Sequence, residues 1–219
     1  MSDSQGWGTD PGGAPAAGEA PVQGHAPTVP VAPTPPVQPG PVGLVYGDVA
    51  NRVIAIVIDA ILIGIVTAIL QVFVGLVFGP AYSLTLAGAL SDVGFGVNYL
   101  TVFIDAIVGI AVSFAYFYLL WTTQRATLGM RVLALQVGNE TDGATITSNQ
   151  AMVRWAALFG PAALSQAFWP VPALGALIGL ASFVWVIVLL VTTAQSPTKQ
   201  GLHDRYAHTM VVKVVRTVA

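Results

Sequence analysis

Apolar positions in this chain fall into long runs and do not alternate with polar ones as they would in a soluble domain. From Val53 to Phe78 a 26-residue run carries a single charge, Asp59. As a helix it would be about 39 Å long, enough to cross a bilayer with tilt. Gly79-Pro80 ends it, and the stretch to about Asn98, rich in Gly and Ser and free of Lys and Arg, reads as a loop with weak amphipathic character. A second run, Leu100 to Trp121, has Asp105 near its start and Phe114, Tyr116, Phe117, Tyr118 and Trp121 toward its end, which predicts a second membrane helix with an aromatic belt. A polar interval with Arg125, Arg131, Glu140, Asp142 and Arg154 follows. Within it, Val132–Val137 and Ala144–Thr147 predict two short strands in a hairpin around Gly138–Gly143, and Ser148 is a plausible helix cap. Positions 155 to 198 then run for 44 residues without an ionisable side chain. Pro170-Val171-Pro172 offers a reversal inside them, giving helices of about Gln150–Phe168 and Ala173–Thr193. Beyond these, the β-branched segment Thr209–Val215 predicts a strand that pairs with the hairpin in a small sheet.

The number of crossings follows from the basic residues. With three crossings, Lys199, Arg205, Lys213 and Arg216 lie opposite Arg52, Arg125, Arg131 and Arg154; with four, all eight share one side. Cytoplasmic loops carry the excess of Lys and Arg, which favours four. The expected fold is an all-α membrane protein: a four-helix transmembrane bundle with a short cytoplasmic β element, three spans being the alternative. It would be multi-pass in the cytoplasmic membrane, with both termini cytoplasmic and spans at about 53–78, 100–121, 150–168 and 173–193. Gly160-Pro161 weakens the third arm, because an internal proline removes a backbone donor and crowds the preceding turn, so a kinked or re-entrant helix fits there too.

Composition agrees: 55% of residues are hydrophobic and 8% charged, against roughly 25% charged in soluble domains. The net charge of −2 and the scattered Lys and Arg exclude a nucleic-acid groove. The absence of cysteine excludes disulfides and thiolate chemistry. Residues 1–43 hold ten of the fifteen prolines and no Lys or Arg, so a disordered cytoplasmic tail without a cleavable leader is expected before a membrane domain at 44–216. Its P-x-x-P spacings could dock a protein partner, although a plain spacer is the simpler reading.

The charges are the candidate chemistry. A carboxylate inside an apolar helix costs about 2.5 to 3.5 kcal/mol on insertion scales, so Asp59 is either paired or functional. Arg52 precedes it by seven residues, which places the two within about 20° on one face but roughly 10.5 Å apart along the axis, leaving room for a third group or water between them. The plainer readings are a snorkelling Arg52 at the lipid interface and an interhelical hydrogen bond from Asp59. Asp105 lies close enough to a helix end to reach headgroup water, Gln71 and Gln166 read as interhelical glue, and His203 and His208 as solvated side chains flanking Asp204. Among nucleotide, nucleophile and zinc motifs none is present, so no enzyme, cofactor or metal is expected.

Arg52 at the start of the first helix, Asp59 within it and Asp204 in Gln200-Gly201-Leu202-His203-Asp204-Arg205-Tyr206-Ala207 together resemble the RDD family of bacterial membrane proteins. The segment from Thr127 to Val137 is similar to a further family stretch. The resemblance covers about residues 44 to 215. A lysine is usual in the family where Met130 stands and a glycine where Ala134 stands, so any role of that lysine does not carry over. The resemblance implies a small transporter of ions or small ligands. Here that means an ion or proton exchanger with Asp59 as the exchanging carboxylate, Arg52 tuning it, and Asp204 fixing the C-terminal segment by pairing with Arg52. A homo-oligomer is expected, since four helices enclose little room. The alternative is a non-transporting scaffold whose charges serve helix assembly.

Overall fold

A computed structural model describes residues 45–87 and 92–213; the expected tail at 1–43 lies outside them. Helix α1 (Val49–Phe78) starts where the Asp48 side chain accepts from Ala50 N at 3.3 Å and stops at Gly79, whose φ of 86° suits a residue without Cβ. The buried residues of α1 are Arg52, Ala55 and Asp59, one stripe at helical spacing. Ile61, Ile65, Ile69, Val72 and Phe73 are exposed, an apolar outside that suits lipid and not water.

The stretch expected as a loop is instead an antiparallel hairpin, β2 (Tyr82–Ala87) with β3 (Asp92–Val97). Tyr82 and Leu84 alternate with Ser83 and Thr85, the period-2 pattern of a strand, and Tyr82 stacks on Phe95 with centroids 5.8 Å apart. Helix α2 (Tyr99–Gln124) is capped by Asn98, whose amide also donates to Phe78 O at 2.9 Å and ties the two helices at this end. The expected aromatic belt on α2 is corrected. Phe117 and Trp121 are buried, and Phe117 stacks on Phe159 at 4.4 Å, because this face of α2 meets α1 and α4 and not lipid.

The polar interval also differs from expectation. Thr127 caps a short helix α3 (Leu128–Val132), strand β4 (Leu135–Asn139) follows, and Ala144–Thr147 forms no strand. β4 pairs instead with β5 (Thr209–Lys213), and β1 (Val45–Tyr46) covers the other edge, giving the order β1-β5-β4. Sheet pairing is thus between distant segments, with Val137 opposite Val211, both buried in one core cluster to which Ala144–Thr147 adds only Ile146.

Helix α4 (Ser148–Phe168) is capped by Thr147, not Ser148, through a capping box with Gln150. It runs unbroken through Pro161, which leaves the carbonyl of Ala157 without its helical donor; Trp185 Nε1 supplies the missing bond at 2.7 Å. Trp185 belongs to α5 (Pro172–Gln195), which reverses the chain where expected and lies antiparallel to α4, with Ser182 Oγ donating to Pro161 O at 2.7 Å. Of the four long helices, α1, α2 and α5 are long and apolar enough to cross a membrane. On that criterion the four expected spans reduce to three. α4, with Asn149, Gln150, Arg154, Ser165 and Gln166 among its 21 residues, is too polar to join them. The first residues of α1 and α4 and the last of α2 and α5 gather at one end, beneath the sheet and a short helix α6 (Leu202–Tyr206).

Candidate functional site

At that end a fully buried carboxylate, Asp204, is held between two guanidiniums. Arg52 Nη1 donates to its Oδ2 at 2.8 Å, and Arg154 Nη1 donates to its Oδ1. Gly201 N, at the start of α6, donates to Oδ2 at 3.3 Å. Arg52 also donates to Gly47 O at 3.0 Å and Val211 O at 3.2 Å, so it fastens α1 to both β1's trailing residue and β5. Arg154 donates to Thr209 Oγ1 at 2.6 Å and lies over the Trp121 ring at 5.1 Å. Burial alone would raise the Asp204 carboxyl, but the charges of Arg154 and Arg52 overcome it and hold the group well below the usual carboxylate range. His203 is buried beside it, with Nε2 3.6 Å from Asp204 Oδ2; desolvation first, then the two guanidiniums, lowers it to about 4. It is therefore neutral at pH 7, with its Nδ1 unpartnered. His203 is not the solvated residue expected, because the turn of α6 folds it inward; His208 is exposed and lies 3.3 Å from Glu140.

Asp59 is a separate centre. Tyr116 Oη donates to Oδ1 at 2.6 Å, Gly129 N to Oδ1 at 2.7 Å, and Thr127 Oγ1 to Oδ2 at 2.5 Å. The carboxylate thus caps the first turn of α3, whose free N–H groups favour negative charge. Among the described residues Asp59 has no ion-pair partner. Arg52 does not pair with it, because the guanidinium is committed to Asp204 and two carbonyls. α3 sits so close that a Cβ on Gly129 would strike the Ala55 carbonyl and lie 3.0 Å from Asp59 Cγ.

Sequence reasoning brought Arg52, Asp59 and Asp204 forward, and the structure joins Arg52 to Asp204 while setting Asp59 apart. Arg154 was missed, though an arginine two turns inside a helix with apolar flanks is the same kind of signal as Asp59. Thr127, Tyr116 and Gly129 were missed because nothing in the spacing ties them to position 59.

Two cavities flank these groups. One of about 200 Å³ lies inside the bundle, walled by Arg52, Asp59, Arg154, His203 and Ala162 among apolar side chains. The other, about 510 Å³, opens at the opposite end and is lined by Gln71, Asp105, Ser165, Gln166 and Trp169. Ala162 lines both. Asp105 is half-buried there, with Oδ1 enclosed and unpartnered. No curated protein and no solved structure matches the chain. The RDD family model matches residues 46–208, which include Arg52, Asp59 and Asp204, and the chain belongs to the RDD family of membrane proteins.

Proposed function

We propose that the protein is a small membrane transporter or ion/proton exchanger whose path runs through its own helix bundle. The observation that carries this reading is the pair of cavities meeting at Ala162, one walled by Asp105 and the other by Asp59. A carboxylate lining each of two cavities that share Ala162 as a wall residue is what stepwise movement of a cation or proton through a low-dielectric interior requires. Arg52, Asp204 and Arg154 then close the path at the end carrying the basic residues, and the excess of Lys and Arg there supports a cytoplasmic position for that end. α4 lies along α5 from the shared turn past Pro161 and Ala157, which supports its crossing as a fourth, protein-shielded span.

A scaffold is the second reading, favoured by the saturation of Asp59 and Asp204 with hydrogen bonds that lock elements together. The two separate on Asp59→Asn in proteoliposomes holding a pH dye, under imposed Na⁺ or K⁺ gradients. The exchanger requires flux in the parent protein and about a tenfold or greater loss in folded Asp59→Asn, since a proton-exchanging carboxylate has no substitute in a neutral amide. Unchanged flux in that variant, or none in the parent, rejects exchange through Asp59.

A further inference from the structure

The cleft at the end remote from Asp204 has a composition of its own. It draws Gln71 from α1, Asp105 from α2, Ser165 and Gln166 from α4, Trp169 from the α4–α5 turn and Tyr82 from the base of the hairpin. Asp105 is the one charge among these lining residues, and it has no cationic neighbour in the cleft to balance it. Its Oδ1 is enclosed and accepts no hydrogen bond. A half-buried, uncompensated carboxylate raises the local concentration of cations and disfavours anions.

Size and chemistry narrow the occupant. The cleft's 510 Å³ falls within the range typical of small-molecule sites and far exceeds what a bare metal ion fills. Hard metal ions draw on six or more oxygen ligands and usually several charges, whereas this cleft offers one carboxylate. Two rings, Tyr82 and Trp169, line it, and aromatic faces beside a carboxylate are the usual receptor for an alkylated ammonium group. Carboxamide and hydroxyl oxygens of Gln71, Gln166 and Ser165 can accept any remaining N–H or O–H. The walls are also held in place. Tyr82 is stacked on Phe95, and Gln166 lies against Gly109, where a Cβ would stand 2.7 Å from its Nε2.

We propose that this cleft binds a small organic monocation of the ammonium class, with Asp105 as counter-charge and Tyr82 and Trp169 as aromatic walls. An ammonium cargo deepens the transport reading and rests on it for its purpose, whereas occupancy of the cleft does not require flux.

The test is calorimetric titration of tetramethylammonium and of choline into the full-length protein in phosphatidylglycerol nanodiscs, which carry no ammonium headgroup. Saturable binding is expected. Asp105→Asn should weaken it about tenfold or more by removing the counter-charge. Trp169→Leu, which leaves the carboxylate in place, should weaken it about threefold. Should Asp105→Asn fail to fold, Trp169→Leu carries the test alone. Repeating the titration in phosphatidylcholine discs identifies the source: a weaker apparent affinity means the bilayer's own headgroups fill the cleft, and an unchanged one means a free cation does. Absence of saturable binding in the parent, equal affinity in the folded variants, or displacement by Na⁺ at the same concentration as by choline overturns the proposal. Binding without flux would leave the cleft and remove the transporter; flux without binding would do the reverse.

Discussion

Replacing Asp204 by Asn keeps the size and one acceptor oxygen but removes the charge that balances Arg52 and Arg154. In the parent that carboxylate is fully buried, takes a bond from each guanidinium, and sits where α1, α4, α5, α6 and β5 meet. Breaking a buried ion pair by removing one member costs about 3 to 5 kcal/mol, because the other charge stays desolvated and unpaired. Here two such charges would remain, facing each other across a neutral amide. Loss of stability in that range is expected in detergent-mixture unfolding followed by tryptophan fluorescence. Asp48→Ala is the control: it removes an exposed cap and should cost only about 1 kcal/mol. A second readout is trypsin cleavage after Lys199 and Arg205, which flank α6 or lie in it and should be cut faster once the cluster no longer pins that segment. If Asp204→Asn unfolds within about 1 kcal/mol of the parent and is cut no faster, the cluster is not what closes this end.

Three further outcomes follow from single observations. Trp185→Phe keeps an aromatic ring but orphans the Ala157 carbonyl opposite Pro161, and should cost about 1 to 3 kcal/mol in the same unfolding assay. Ala134 follows the α3 cap with φ of 53°, the left-handed conformation that glycine adopts freely. Ala134→Gly should therefore stabilise by about 0.5 to 1 kcal/mol, net of glycine's greater freedom in the unfolded chain. His203 is lowered to about 4 from 6.5, so between those values the unfolded chain binds more protons than the folded one. Its contribution is full above about pH 6.5 and is lost as pH falls toward 4, by about 3 kcal/mol in all. His203→Gln should flatten the melting temperature between pH 7 and 4.5, and a slope as steep as the parent's would assign the acid sensitivity elsewhere.

The helices were legible because apolar length and proline punctuation act locally: Gly79-Pro80 and Pro170-Val171-Pro172 end or reverse the chain where their backbone chemistry requires. What escaped were pairings decided by distant partners. β4 shows nothing in its own residues that prefers β5 to Ala144–Thr147; its partner strand, with buried Val211 and Met210, lies more than seventy positions on. The hairpin at 82–97 was hidden because glycines at 94 and 96 read as loop residues, whereas they sit opposite Thr85 and Ser83 in the ladder. At the site, Arg52 and Asp204 were legible as rare charges beside apolar runs. Their separation from Asp59 was not, because helical spacing puts Arg52 and Asp59 on one face without saying which partner each meets across the interface.

The two centres are nevertheless mechanically joined, by a chain of contacts that links an arginine and two aspartates far apart in sequence. Asp59 holds the start of α3; α3 runs directly into β4; β4 pairs with β5; and Val211 of β5 accepts from Arg52, which also holds Asp204. Loss of the bonds that Tyr116, Thr127 and Gly129 donate to Asp59 would free the start of α3, which is tied through β4 and β5 to the sheet that Arg52 braces. Opening the Asp204 cluster forfeits about 3 to 5 kcal/mol, so an uncoupled opening would be populated at about one part in a few hundred or less. A ligand would raise that population only by binding the open arrangement more tightly than the closed one by a comparable factor. Asp59→Asn, which removes the negative charge that the first N–H groups of α3 favour, should therefore weaken the hold on α3 and, through β4 and β5, loosen the Asp204 cluster with it.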